Sequence, residues 1–356
     1  MVNHLYDTWF RQLRQLRPEE RVTRVRNMAW LLVGIYTSRS VQLAQVAGKI
    51  PGLTKLTSRT RRLERFLDNR AIRVRDWYAP MARRWLRYLA DTVGEIRLVV
   101  DGTKIGWGHQ LLLIAVAYRR RVIPLVWTWV PYIKGHSSAS TQLALLAYLR
   151  QLIPLGVRVT LVGDSEFGAI EVLRQLDAWH WDYVLRQKSN HHVKRTARGA
   201  WQDFGSLIQH SGQSLELGRA WLTERAAYRV YLLAHWQSGE KGPWLLATNL
   251  AARREALTAY RRRMWIEETF GDLKKHGFDL ESTHLQRFLH LSRLTLAVAL
   301  LYINLITVGT LAIQRGQRHW VDRRERRDLS LFQIGLRLIE RQVTNHLNIS
   351  MSLCLL

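Results

Sequence analysis

Ile96-Arg97-Leu98-Val99-Val100-Asp101 is followed at once by Gly102, and Val157-Arg158-Val159-Thr160-Leu161-Val162-Gly163-Asp164 repeats the pattern further along. Both runs are rich in β-branched residues and both stop at an aspartate beside glycine, so each reads as a buried strand ending in a carboxylate. Between them lie two more apolar runs, Gln110 to Tyr118 and Val122 to Val130, joined by Arg119-Arg120-Arg121. These read as a hairpin beside the first strand. A helix is expected from Ser140 to Leu152, then another from Gly168 to Ala178, then a strand from Trp181 to Leu185. Three adjacent strands followed by strands alternating with helices give a mixed α/β sheet.

That order is the one of the ribonuclease-H-like fold. Outward from it, residues 188–250 change texture. Short β-runs (Ser214–Leu217, Arg219–Leu222, Ala227–Leu233, Trp244–Thr248) alternate with turns such as Ser238-Gly239-Glu240-Lys241-Gly242-Pro243, which predicts a β-rich insertion. A helix is expected from Arg253 to Lys275, and two more over 285–314 and 330–345. Residues 1–92 read helical, with helices over Val22–Tyr36, Ser40–Ile50 and Ser58–Leu67. The expected division is 1–92 (helical, DNA-binding), 93–187 (first part of the core), 188–250 (insertion), 251–314 (second part of the core) and 315–356 (basic helical tail).

Charge narrows the function. The 356 residues carry 54 Lys and Arg against 28 Asp and Glu, a net of +26. A folded chain this basic faces a polyanion, because each Lys or Arg near a phosphate releases a condensed counterion. Residues 1–92 hold 19 Lys or Arg against 7 Asp or Glu, a net of +12, and Arg59, Arg61, Arg62 and Arg65 crowd one short helix. Those four are candidate DNA contacts; a solvated basic face is the plainer alternative. One cysteine, Cys354, excludes an intrachain disulfide and a cysteine zinc site. Asp7 and three arginines in the first 17 residues are unlike a secretory signal. Leu294 to Gln314 is uncharged and long enough to cross a bilayer. Its Thr295, Tyr302, Asn304, Thr307 and Thr310 spread around the helix, so a buried core helix and no membrane contact are expected.

Asp101 and Asp164 would open onto the crevice at the carboxyl ends of their strands. Oxygen-only ligands of this kind suit Mg²⁺ or Mn²⁺; turn-forming aspartates are the alternative. On the helix 253–275, Tyr260, Arg263, Glu267 and Lys274 stand at offsets 0, 3, 7 and 14. At about 100° per residue they fall within roughly 60° of arc. One face thus presents a phenol, a guanidinium, a carboxylate and an ammonium, a set suited to phosphodiester chemistry; an amphipathic helix with ordinary i,i+4 ion pairs, such as Arg263 with Glu267, is the alternative. Glu268 lies about 100° away and is the weaker ligand candidate.

The spacing Tyr-x2-Arg-x3-Glu-x6-Lys after two strand-end aspartates resembles the bacterial cut-and-paste DDE transposases of the insertion-sequence family four, over roughly residues 95–310. The resemblance implies a ribonuclease-H-like core on which Asp101, Asp164 and Glu267 are catalytic and bind two divalent ions, Mg²⁺ or Mn²⁺. It implies a β insertion between the second Asp and the Glu, and the 103 residues from Asp164 to Glu267 leave room for one. It implies nicking at transposon ends, a hairpin intermediate and strand transfer into target DNA. Trp244-Leu245-Leu246-Ala247-Thr248 matches the strand that carries a base-stacking tryptophan in relatives, which points to Trp244 with Trp236 as fallback. The partners implied are double-stranded DNA, as terminal inverted repeats and target, and a second copy of the chain in the DNA complex. The compartment expected is the bacterial cytoplasm, at the nucleoid. The alternatives are an inactive or domesticated sequence-specific DNA-binding protein and a nuclease on the same core. The chain is short after its last long helix, which puts a large carboxy-terminal dimerisation domain in doubt.

Overall fold

The structure, a computed structural model, describes residues 2–106, 108–131, 136–323 and 325–354. It divides into two compact units. One takes Leu89–Thr103 and Gln110–Thr269; the other takes the chain up to Tyr88, Lys104–His109 and everything from Phe270 onward.

The first unit is built on a ten-stranded sheet in the order β3-β2-β1-β4-β5-β10-β9-β8-β6-β7. Its strands are β1 (Glu95–Ile105), β2 (His109–Tyr118), β3 (Arg121–Pro131), β4 (Arg158–Gly163), β5 (Asp182–Arg186), β6 (His192–Lys194), β7 (Gln202–Asp203), β8 (Ser214–Leu222), β9 (Tyr228–His235) and β10 (Trp244–Thr248). β4 runs parallel to β1 and to β5, while β10 runs antiparallel to β5. The half β3-β2-β1-β4-β5 is the ribonuclease-H-like mixed sheet that the order of sequence elements predicts. The later strands carry the same sheet onward through β10. Helices α6 (Ala139–Arg150) and α7 (Ile170–Ala178) pack on β3 and β5, and α8 (Arg253–Tyr260) packs on β4 and β5. Covered strands need no alternation, which is why β4 reads as one apolar run from Val159 to Gly163.

Three details depart from the sequence reading. β1 does not stop at Asp101: its pairing with β4 ends at Val100 opposite Gly163, and the strand continues to Ile105. The runs Ser214–Leu217 and Arg219–Leu222 are one strand with an irregularity between Glu216 and Gly218. Gly218 sits at φ +68°, a left-handed conformation that glycine adopts without Cβ strain. The helix expected over 253–275 is α8, a 3₁₀ turn at Arg261–Arg263, and α9 (Met264–Leu273). A 3₁₀ turn spaces successive side chains by about 120°, so three arginines in a row face three directions.

The second unit is helical. It holds α1 (Val2–Leu16), α2 (Val22–Ser38), α3 (Leu43–Gly48), α4 (Leu56–Asp68), most of α5 (Val74–Val93), α10 (Phe288–Gln314) and α11 (Leu331–Thr344). α10 packs against α2, α4 and α11. Gly309 and Gly335 bring α10 and α11 together: a Cβ on Gly335 would lie 2.0 Å from the Leu305 carbonyl oxygen. α10 is long and apolar enough to cross a bilayer, but 89% of its most apolar window is buried. Its polar groups have partners inside the unit. Asn304 accepts from the Ser352 amide at 3.0 Å and Thr307 donates to the Cys354 carbonyl at 3.1 Å. Buried Arg293 donates to the carbonyls of Ile72 and Leu67.

Candidate active site

Asp101 and Asp164 each follow the last paired residue of two adjacent parallel strands, so they leave the sheet side by side. Gly163 permits that approach: a Cβ there would meet Val100 Cγ1 at 2.7 Å and Leu185 Cδ2 at 3.1 Å. Each carboxylate is fixed by the amide that follows it. Gly102 N–H donates to Asp101 Oδ1 at 2.8 Å, and Ser165 N–H donates to Asp164 Oδ1 at 2.7 Å.

The third carboxylate arrives through Arg263. Its guanidinium lies 3.0 Å from Asp101 Oδ2 and 2.5 Å from Glu267 Oε1. The Asp101 and Arg263 side chains are 14% and 12% exposed and that of Glu267 is 46% exposed, so the bridge runs from the sheet interior to the rim. Burial pushes the Asp101 carboxyl up to about 7, against the pull of Arg263 and the Gly102 amide; Asp164 and Glu267 push it the same way as burial. Asp101 thus feels both other carboxylates. Glu268 turns toward Arg121 at 3.5 Å.

Tyr260 stands next to this group. It is buried, and its hydroxyl has no hydrogen-bond partner. Burial raises its ionisation to about 12, so it remains a neutral donor at physiological pH. Trp244 packs edge-on against Tyr260, ring centroids 5.1 Å apart, and touches His235 at 5.8 Å. Its indole is 9% exposed. Trp236 instead donates its ring N–H to the Glu240 carbonyl. Tyr260, Arg263 and Glu267 therefore gather with Asp101 and Asp164. Lys274 lies past the end of α9 in the other unit, where its ammonium meets Glu281 at 2.8 Å and the Lys104 carbonyl at 3.0 Å. Also in that unit, α4 exposes Arg61, Arg62 and Arg65; Arg62 donates to Asn27 at 2.7 Å and Arg59 to the Ile50 carbonyl.

Among the described residues no three His, Cys, Asp or Glu side chains are drawn tightly enough to hold a metal ion as they stand. The guanidinium of Arg263 occupies the space between two of the three carboxylates. The donor set fits a hard divalent cation in its chemistry: it is all carboxylate oxygen, crowded enough to need a positive charge between its members.

From the sequence, Glu166 near Asp164 could compete for metal but is expected to point away; in the structure it is a node of its own. Its carboxylate accepts from the Ser137 amide at 2.7 Å and from Gln110 Nε2 at 3.0 Å. A Cβ on Gly102 would lie 2.1 Å from that same Gln110 nitrogen, so the network packs directly beneath the Asp101 turn. The sequence signal was only Glu166 lying close to Asp164; contact with residue 110 is a long-range fact.

Residues 125–304, about half of the chain, match the model of the family described as transposase DDE domain. Asp164 and Glu267 lie within that span and Asp101 lies before it. No curated protein matches the chain. A solved structure titled as a cryo-EM structure of the piggyBac transposase synaptic complex with hairpin DNA is similar over 95% of this chain and 76% of that chain. The identity is 10% and the TM-score 0.42, a likeness that carries no argument about this chain.

Proposed function

The chain belongs to the transposase DDE domain family, and from that premise we propose that it cuts DNA at transposon ends and joins them to target DNA, with Asp101, Asp164 and Glu267 as its catalytic carboxylates. One observation carries the residue assignment: Arg263 binds Asp101 and Glu267 at once, which draws distant parts of the chain to one point beside Asp164.

In this reading the three carboxylates hold two divalent ions, Mg²⁺ or Mn²⁺. Such ions, when bound, activate an attacking oxygen and stabilise the leaving one in an in-line displacement. The protein's own groups do the rest. Arg263 exchanges its carboxylate partners for a DNA phosphate, since a guanidinium forks onto either anion. The Tyr260 hydroxyl, buried and unpaired in the free protein, donates to the DNA backbone. Water attacks the phosphodiester at the element's end, and the bond to the 3′ oxygen breaks to leave a 3′-hydroxyl. That hydroxyl then attacks a phosphodiester of the opposite strand, whose own 3′ oxygen leaves as a hydroxyl on the flanking DNA, to close a hairpin, and water reopens the hairpin before transfer. Trp244, on the strand whose sequence resembles that of family-four relatives, is the residue proposed to hold the base that leaves the stack; its contact with Tyr260 keeps it beside the carboxylates. Arg59, Arg61, Arg62, Arg65 and Lys274 would contact phosphates, and two copies would assemble on paired ends.

The test is incubation with duplex DNA carrying the element's own ends, Mg²⁺ and a target plasmid. Nicking separates an enzyme from a DNA-binding protein, and joining to the plasmid separates a transposase from a nuclease. Binding without cleavage would overturn the catalytic reading.

A further inference from the structure

A second site, a basic one, lies at the opposite ends of strands β1 and β4. β1 and β4 begin side by side, with Glu95 paired to Arg158 and Arg97 to Thr160. Above these starts, the end of α8 and the Arg261–Arg263 turn enclose a cavity of about 470 Å³. Arg97, Arg158, Arg254 and Arg262 line it, with Glu95 and Glu255. The two carboxylates are already engaged. Glu95 accepts from Arg97 at 2.6 Å and from the Thr160 hydroxyl at 2.7 Å, and Glu255 accepts from Arg158 at 2.6 Å. Asp182 holds the other side of Arg158 at 2.6 Å. Among the described residues neither Arg254 nor Arg262 makes a carboxylate ion pair, and Glu95 pulls on Arg262 only electrostatically. Burial, and then the charge of Arg97, press Arg262 below the usual guanidinium range. Arg254 is exposed at the cavity and Arg262 is half-buried and crowded by Arg97, so unneutralised positive charge gathers at one cavity.

We propose that this cavity binds a phosphate group, held by Arg254 and Arg262 with Arg97 behind them, and that the phosphate belongs to the backbone of bound DNA. Four residues of extended strand separate Arg97 from Asp101, about 13 Å, so the cavity is separate from the carboxylate site. The turn at Arg261–Arg263 sends Arg262 into the cavity and Arg263 between the carboxylates, so one short segment positions both. The phosphate chemistry stands on the cavity alone; its assignment to DNA rests on the proposed function.

The two parts are tested separately, without metal and without cleavage. Inorganic phosphate is titrated into the wild type, Arg254→Gln/Arg262→Gln, Arg262→Lys and the control Arg61→Gln/Arg65→Gln, by calorimetry at fixed ionic strength. Saturable binding is expected in the wild type and the control, at least tenfold weaker in the cavity double variant and largely kept by the lysine. Equal binding in all four, or none in the wild type, overturns the site. Duplex DNA binding is then measured against salt. Losing one neutralised phosphate lowers the slope of log K on log salt by about 1. A slope unchanged in the cavity double variant, with phosphate binding lost, overturns the DNA assignment. Circular dichroism of each variant checks that it folds.

Discussion

Asp101 is the residue whose chemistry is most constrained. An aspartate in an unfolded chain ionises near 3.9, whereas burial raises Asp101 to about 7 in the folded protein. Between those values the folded state binds the extra proton, so stability falls as pH rises from about 4 to about 7 and levels off above. A divalent ion competes with that proton. Calorimetric titration with Mn²⁺ is therefore expected to show affinity climbing from pH 6 to 8 in the wild type, with a much flatter profile in Asp101→Asn. Equal slopes would detach the titration from Asp101. Tyr260 gives an independent check. Its buried hydroxyl has no partner, and an unsatisfied buried polar group costs about 1–3 kcal/mol. Tyr260→Phe is expected to stabilise the free protein by about 1 kcal/mol while slowing end cleavage. A lower melting temperature would mean that the hydroxyl has a structural partner.

At the scale of elements, the crossing of α10 and α11 is the most exacting contact. A methyl at Gly335 would meet backbone, the Leu305 carbonyl, which cannot rotate aside. Gly335→Ala gains about 1 kcal/mol of helix propensity but overpacks the crossing, at a cost of about 1–3 kcal/mol or more. The melting temperature is expected to fall by several degrees; a rise would show that the helices can part. What the sequence made legible follows from local chemistry. β-branched runs ending at an aspartate beside glycine located β1 and β4, and the basic turn at Arg119–Arg121 located the β2–β3 hairpin. The threonines and asparagine of α10 marked it as a core helix, because their partners are polar groups of the chain itself. The break at Arg261–Arg263 carried no such mark. Nothing in that stretch is Gly or Pro, and the turn answers to what the arginines reach: carboxylates on one side, the Arg97 cavity on the other. Periodicity set Tyr260, Arg263, Glu267 and Lys274 on one face; in the structure the first three lie along α8, the 3₁₀ turn and α9, and Lys274 directly follows α9.

Over the whole molecule, charge is the dominant property. A net of +26 predicts non-specific binding of duplex DNA that weakens as salt rises. Arg61 and Arg65 stand exposed on α4. Arg61→Gln/Arg65→Gln is expected to lower the salt slope by up to about 2 if both meet phosphates, read by fluorescence anisotropy; an unchanged slope would remove α4 from the DNA-facing surface. Affinity of that kind does not make an enzyme. The most direct trial is Mg²⁺-dependent nicking of duplex DNA bearing the element's ends, with binding to the same DNA measured in parallel, for wild type, Asp101→Asn, Asp164→Asn and Glu267→Gln. The account predicts that each variant binds within a fewfold of wild type and nicks at least a thousandfold more slowly, a loss of about 4 kcal/mol in the barrier term. Any one of the three nicking at the wild-type rate would contradict it.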